Sequence, residues 1–198
     1  MLSTHDTTNW AAWWENEAGT VDEQLFIRKC ADRGIDYNYT KRRLSDIEKS
    51  RHGRLRWLDD IESNGVLIDI LGKRKEDILD FIEMYENSYR EKEKLWKRMK
   101  MKGRMRDQSD KEIVGAALKI TLSSRAVFDI ELLVDWLMLA GAFKRDPYEY
   151  RINTPGTISP KNWSLVMPLS LEGLLKDKIC KTVRTMVSLF RPEITGKG

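Results

Sequence analysis

The stretch KEDILDFIEMYENSYREKEKLWKRMKMK at residues 75–102 is the longest periodic segment of the chain, and it decides the fold class. Its apolar side chains recur three or four positions apart, which places them on one face of an α-helix. They are Ile78, Ile82, Tyr85, Tyr89, Trp96 and Met99. The first half is acidic and the second basic, which suits the helix macrodipole. The pattern predicts one long helix ended by Gly103 and a mainly α protein.

Helical spacing also dominates the chain outside this segment. Trp10, Trp13 and Trp14 share one face of a predicted first helix. The predicted helices cover residues 7–17, 21–33, 39–64, 110–122, 129–140 and 171–190, with a break possible near Gly53 in the third. Residues 148–152 and 163–167 instead predict two short strands joined by a turn rich in Pro and Gly. Residues 66–71 are short and β-branched, so helix and strand compete there.

Changes in composition along the chain predict four parts. Residues 1–20 form a Trp-rich helix or arm, and residues 21–72 form a helical module. Residues 73–106 form the long helix with its basic end. Residues 107–198 form a smaller α+β domain that we expect to bind a partner protein. The predicted fold class is therefore mainly α, with an α+β C-terminal domain.

The overall composition is that of a folded protein with a heavily charged surface. Of the 198 residues, 41% are hydrophobic and 33% are charged, with a net charge of +4. No run approaches the roughly 20 apolar residues of a membrane span, and residues 1–17 do not resemble a signal peptide. Cys30 and Cys180 lack metal-ligand spacing, which favours a reducing compartment. We expect a soluble, intracellular protein.

Basic residues are concentrated at 41–56 and 92–106. In the second segment, eight of fifteen residues are Lys or Arg. Such clusters are typical of a phosphate-binding surface, and one helical face of them would suit a duplex-RNA groove. The alternative is a solvated helix face that compensates nearby carboxylates. The candidate nucleic-acid contacts are Arg42, Arg43, Lys49, Arg51, Arg54, Arg56, Lys97, Arg98, Lys100, Lys102, Arg104 and Arg106.

Catalytic motifs are absent from the sequence. His5 lies in the N-terminal segment and His52 lies in a basic run, and neither is near a nucleophile in sequence. No nucleophile-elbow, phosphate-loop or dinucleotide-binding glycine pattern occurs. No His or Cys cluster has the spacing of a metal site. We therefore expect no catalytic residues, no cofactor and no metal.

Three groups of residues, in the same order, resemble the influenza virus non-structural protein 1 family, which binds double-stranded RNA and antagonises interferon. The first two groups resemble helices of that family's RNA-binding domain, and the third resembles the start of its effector domain. They are Val21-Asp22 with Leu25, Arg28-Lys29 and Ala31-Asp32; Lys49-Ser50 with Gly53-Arg54, Leu58 and Asp60-Ile61-Glu62; and residues 117–121 with Ser124-Arg125, Asp129, Asp135-Trp136 and Met138-Leu139.

The resemblance implies a homodimer whose second helices follow a duplex-RNA groove, with an effector domain that binds host proteins. Lys49 falls on the family's RNA-binding lysine, and Arg42 or Arg43 would replace its arginine from one turn earlier. The hypothesis is then a viral, non-enzymatic RNA-binding protein of the host cytoplasm or nucleus. The alternative is a helical adaptor or matrix-like assembly protein whose basic patches bind an acidic protein or an anionic membrane.

Overall fold

A computed structural model of the protein describes residues 1–143 and 146–192. The prediction of a mainly α protein is confirmed. The helices are α1 (Trp10–Ala12, continued by a π-helical turn at Trp13–Glu17), α2 (Glu23–Asp32), α3 (Tyr37–Leu44), α4 (Asn64–Leu71), α5 (Leu79–Ser88), α6 (Glu91–Arg98), α7 (Lys111–Leu122), α8 (Leu133–Ala140), α9 (Leu171–Lys176) and α10 (Lys178–Phe190). Short 3-10 helices occur at Lys75–Ile78 and Pro147–Tyr150. Among the described residues, no helix is both long enough and apolar enough to traverse a bilayer.

The chain divides into two compact units. The first unit contains Met1–Glu15 and Lys97–Gly198, and the second contains Asn16–Trp96. In sequence, the second unit is thus inserted into the first. Near its two ends, the Gly19 amide donates a hydrogen bond to Glu91 Oε2 at 2.9 Å. The finer division at residues 20, 72 and 106 stays a prediction.

The second unit packs helices against a three-stranded antiparallel sheet. Its strands are β1 (Thr20–Asp22), β2 (Ser45–Asp46) and β3 (Arg54–Trp57), in the spatial order β1-β3-β2. Leu55 and Trp57 are buried whereas Arg54 and Arg56 are half-buried, so burial alternates with the two-residue period of a strand. Phe81 meets Phe26 edge to face, with ring centroids 5.5 Å apart. The Trp57 indole donates to Ser88 Oγ at 2.7 Å, so the buried N–H has a partner.

The prediction of one helix over residues 39–64 is wrong. Helix α3 ends at Leu44, and β2, a turn and β3 follow. His52 and Gly53 both have positive φ, at 54° and 70°, and this reverses the chain before β3. A helix would have required right-handed geometry at both positions.

The prediction of one long helix over residues 75–102 is also wrong. A 3-10 turn, α5 and α6 occupy this range, and α6 ends at Arg98. Ser88 Oγ donates to the Met84 carbonyl at 2.7 Å, a local bond that competes with helix continuation. Arg90 then takes φ +53°, which breaks the helical path.

The two strands predicted at residues 148–152 and 163–167 do not form. Residues Pro147–Tyr150 form a 3-10 helix, and the described part of residues 107–198 contains no strand. The two segments still meet, because the Trp163 amide donates to the Ile152 carbonyl at 2.8 Å. One such bond joins two loop segments without making a ladder. The sheet therefore lies in the N-terminal half and not in the predicted C-terminal α+β domain.

Candidate active site

Helix α8 holds the N-terminal segment of the first unit through one buried carboxylate. Asp135 is wholly buried and accepts hydrogen bonds from Ser3 Oγ and from the Trp10 amide, the latter at 2.9 Å. Asn9 then caps α1, with its side-chain oxygen accepting from the Ala12 amide at 3.0 Å. These bonds fix both ends of the segment that carries His5 and Asp6.

Threonines shape the turn that presents these two residues. Thr4 and Thr7 are joined by the Thr7 amide donating to the Thr4 carbonyl at 3.2 Å and by the Thr4 amide donating to Thr7 Oγ1 at 2.9 Å. The Asp6 amide donates to Thr4 Oγ1 at 3.2 Å. Short hydroxyl side chains stabilise such turns by bonding to nearby backbone groups. His5 and Asp6 therefore lie at a defined turn of the chain.

Asn153 and Arg151, from the C-terminal part of the unit, hold the same turn. The Asn153 amide donates to the His5 carbonyl at 3.0 Å, and Asn153 Nδ2 donates to Asp6 Oδ1 at 2.7 Å. Arg151 Nη2 donates to the Asp6 carbonyl at 3.1 Å, and Arg151 Nε donates to the Asn153 carbonyl at 2.8 Å. One carboxylate oxygen of Asp6 is thus oriented by a neutral amide donor.

Asp6 and His5 remain accessible although their backbone is held. Their side chains are 46% and 53% exposed, and His5 Nε2 lies 3.5 Å from Asp6 Oδ2. An accessible carboxylate with a fixed orientation can accept hydrogen bonds from hydroxyl groups or stabilise developing positive charge. The adjacent imidazole can donate or accept a hydrogen bond.

An indole ring borders this pair. The Trp163 ring lies against His5, with centroids 5.1 Å apart and ring planes inclined by 38°. The combination of an exposed aromatic face, a carboxylate and an imidazole suits a ligand with both apolar faces and hydroxyl edges. Sugars have this character. We therefore take Asp6, His5, Asn153 and Trp163 as the candidate active site.

Asp135 makes the stability of this arrangement dependent on pH. Burial raises the pKa of its carboxyl above the ordinary value, and the hydrogen bonds from Ser3 and Trp10 offset part of the rise. The ordinary pKa of an Asp carboxyl is about 4. Between that pH and the raised pKa of Asp135, this carboxyl is protonated in the folded state but ionised in the unfolded state, so the folded state binds more protons. The free energy of unfolding should therefore fall as pH rises through this window.

Replacing Asp135 with Asn should flatten this dependence, because an amide does not titrate. The measurement is urea unfolding of the wild type and of Asp135→Asn between about pH 4 and 7. Glu131, whose pKa burial also raises, is present in both proteins, so their difference isolates Asp135. Parallel curves for the two proteins would contradict the prediction.

The basic residues predicted to bind nucleic acid do not share a helical face. Arg42 and Arg43 lie on α3 and line a pocket with Asp60 and Asp69. Of the remaining predicted residues, Lys49 and Arg51 lie between β2 and β3; Arg54 and Arg56 lie on β3; Lys97 and Arg98 end α6; and Lys100, Lys102, Arg104 and Arg106 follow it outside any helix.

Several of these side chains bond within the protein. Arg54 Nη2 donates to the Thr20 carbonyl at 3.2 Å, and Arg56 Nη1 donates to the Ala18 carbonyl at 3.1 Å. Lys49 pairs with Asp46 at 3.1 Å. Arg106 pairs with Asp110 at 2.9 Å and Glu112 at 2.7 Å. Part of the basic charge is therefore compensated inside each unit.

The sequence interpretation missed the candidate site because its residues lie far apart in the chain. His5 was considered alone, without Asp6 beside it and without Asn153 and Trp163, which follow more than 140 positions later. One available signal was the run of polar loop residues between prolines, since structured loops often carry function. Among residues 1–143 and 146–192, no group of three or more His, Cys, Asp or Glu could hold a metal ion.

Comparison with known proteins places the whole candidate site within a recognised family segment. A family model described as glycoside hydrolase 77, 4-alpha-glucanotransferase, matches residues 1–170. A 4-alpha-glucanotransferase of Chlamydia pneumoniae is 45% identical over 58 residues, which are 29% of this chain and 11% of that protein. The match therefore spans about a tenth of this relative's length. No solved structure matches the chain significantly.

These matches overturn the functional hypothesis drawn from the sequence. The resemblance to influenza virus non-structural protein 1 is wrong, since a glycoside hydrolase model matches the chain from residue 1 to residue 170. The predictions of a viral, non-enzymatic RNA-binding protein with host-protein partners are wrong with it, as is the adaptor alternative. The short matching groups reflected charged amphipathic segments, which unrelated helical proteins share.

Proposed function

The chain belongs to glycoside hydrolase family 77, the 4-alpha-glucanotransferases, and on this premise we propose that its Asp6 site takes part in transferring α-1,4-linked glucan chains. One observation carries the proposal. The Asp6 carboxylate is accessible, is oriented by Asn153 Nδ2 at 2.7 Å, and lies beside His5 in a segment matched by the family model.

Glycosyl transfer needs negative charge near the reacting sugar. Its transition state resembles an oxocarbenium ion, and carboxylates supply the acid, base or nucleophilic steps around it. A carboxylate already oriented before reaction stabilises that positive charge without reorganising. In the proposed role, Asp6 supplies such a fixed charge and accepts a hydrogen bond from a sugar hydroxyl, while His5 bonds a neighbouring hydroxyl.

Transfer activity can be measured directly on the full chain. We expect the full chain incubated with maltotriose to produce glucose together with longer maltooligosaccharides, because transfer extends one chain as it shortens another. Chromatography of the products measures this. Cellotriose, with β-1,4 linkages, is the control and should remain unchanged. Absence of both redistributed products and saturable maltooligosaccharide binding would contradict the proposal.

We infer an intracellular location from the thiols. Cys30 and Cys180 are both free, and burial raises the pKa of Cys30 to about 11. A buried thiol of this kind is inert and suits a reducing compartment.

A further inference from the structure

Trp163 differs from every other tryptophan of the chain in its exposure. The protein has seven tryptophans, and the other six are buried or half-buried. Trp163 is 66% exposed. An exposed aromatic face beside polar groups can bind a ligand that has an apolar face and a polar edge. The indole of Trp163 is thus available to a ligand beside the Asp6 carboxylate.

The backbone holds Trp163 in an unfavourable conformation. Its φ is +59°, in the left-handed region that bulky side chains avoid. The Trp163 amide bonds the Ile152 carbonyl at 2.8 Å, and the preceding Asn162 accepts from the Thr154 amide at 3.1 Å. Backbone strain of this kind occurs preferentially at functional sites, where surrounding bonds maintain it.

Polar groups around the indole favour a sugar over a purely apolar partner. His5 covers part of the ring, and Asp6 and Asn153 lie next to His5. A pyranose ring presents C–H groups on its faces and hydroxyls at its edge, so it can stack on the indole while its hydroxyls reach the polar groups. A protein partner would meet the exposed carboxylate of Asp6 at the same place, at a desolvation cost.

We propose that Trp163 is the stacking platform for a glucose unit adjacent to the unit held at Asp6. This rests on the proposed function and specifies how the same site recognises its substrate. Since His5 packs against the indole, the sugar stacks on the part of the ring that His5 leaves open. A chain of linked glucose units can then span from Trp163 to Asp6.

The test is an NMR titration of the full chain with maltoheptaose, following the tryptophan indole N–H signals. The signal missing from the spectrum of Trp163→Phe identifies Trp163, and we expect it to shift most. Trp163→Ala should weaken binding roughly tenfold, whereas Trp163→Phe retains an aromatic face and should weaken it less. Val166→Ala is the matched control, because Val166 is 85% exposed and lies three positions further along the chain.

The outcomes separate this inference from the proposed function. If the wild type binds maltoheptaose and Trp163→Ala binds equally well, the stacking role is overturned while the Asp6 site stands. If the wild type does not bind maltoheptaose, the stacking role is overturned, and the products formed from maltotriose decide the proposed function separately. Should Trp163→Ala fail to fold, Trp163→Phe and the shift of the assigned indole signal decide: a signal that stays in place during saturable binding contradicts the proposal.

Discussion

Replacing Asp6 with Asn is expected to lower the rate of glucan transfer from maltotriose by about 100-fold or more, as for the loss of one preorganised electrostatic group in an enzyme site. The substitution keeps the shape of the side chain, and its oxygen can still accept the bond from Asn153 Nδ2. What it removes is the negative charge that opposes the oxocarbenium-like charge of the transition state. Stability should change little, since the side chain is 46% exposed.

The measurement is the initial rate of glucose release from maltotriose by wild type and variant at equal concentration. Asp32→Asn is the matched control, because Asp32 is an exposed carboxylate in the second unit. It removes the same charge from the chain without touching the candidate site. An Asp6→Asn rate within a few-fold of the wild-type rate would show that Asp6 has no electrostatic role in transfer.

Replacing Phe81 with Ala is expected to lower the free energy of unfolding of the second unit by about 4 kcal/mol. Phe81 is wholly buried and meets Phe26 edge to face at 5.5 Å. Truncation removes this contact and leaves a cavity that the helices and the sheet can close only in part. The loss is a large fraction of the stability of a small unit.

Urea unfolding followed by NMR signals of the second unit measures this change. Leu79→Ala is the control on the same helix, because Leu79 is 57% exposed and should change the free energy of unfolding by less than about 0.5 kcal/mol. Equal midpoints for Phe81→Ala and Leu79→Ala would contradict the assignment of Phe81 to the core.

The sequence predicted elements whose signals are local. Apolar residues followed by a glycine located α8, after which Gly141 has left-handed conformation. At residues 66–71 the sequence left helix and strand open, and the structure forms α4, followed by Gly72 in left-handed conformation. Strand β3 was misread because Leu55 and Trp57 alternate over only four residues, too few to outweigh helical spacing across the wider window. Its pairing with β1 is a tertiary contact that residue spacing does not reveal.

The candidate site could not be predicted for a related reason. Clustered arginines are visible in a sequence, but the partners of Arg54 and Arg56 include backbone carbonyls, which no pattern of residue types identifies. Conversely, the orientation of the Asp6 carboxylate depends on Asn153, whose side chain reaches it only after the chain has folded. A single carboxylate in a short polar segment carries no signal by itself.

The insertion of Asn16–Trp96 within the first unit has a consequence for how the gene can change. The hydrogen bond between Gly19 and Glu91 holds the two ends of this segment close together, as is usual for a domain inserted into a loop. Such a segment can be gained, lost or altered as one unit during evolution. Natural variation should then accumulate more in Asn16–Trp96 than in the residues on either side of it.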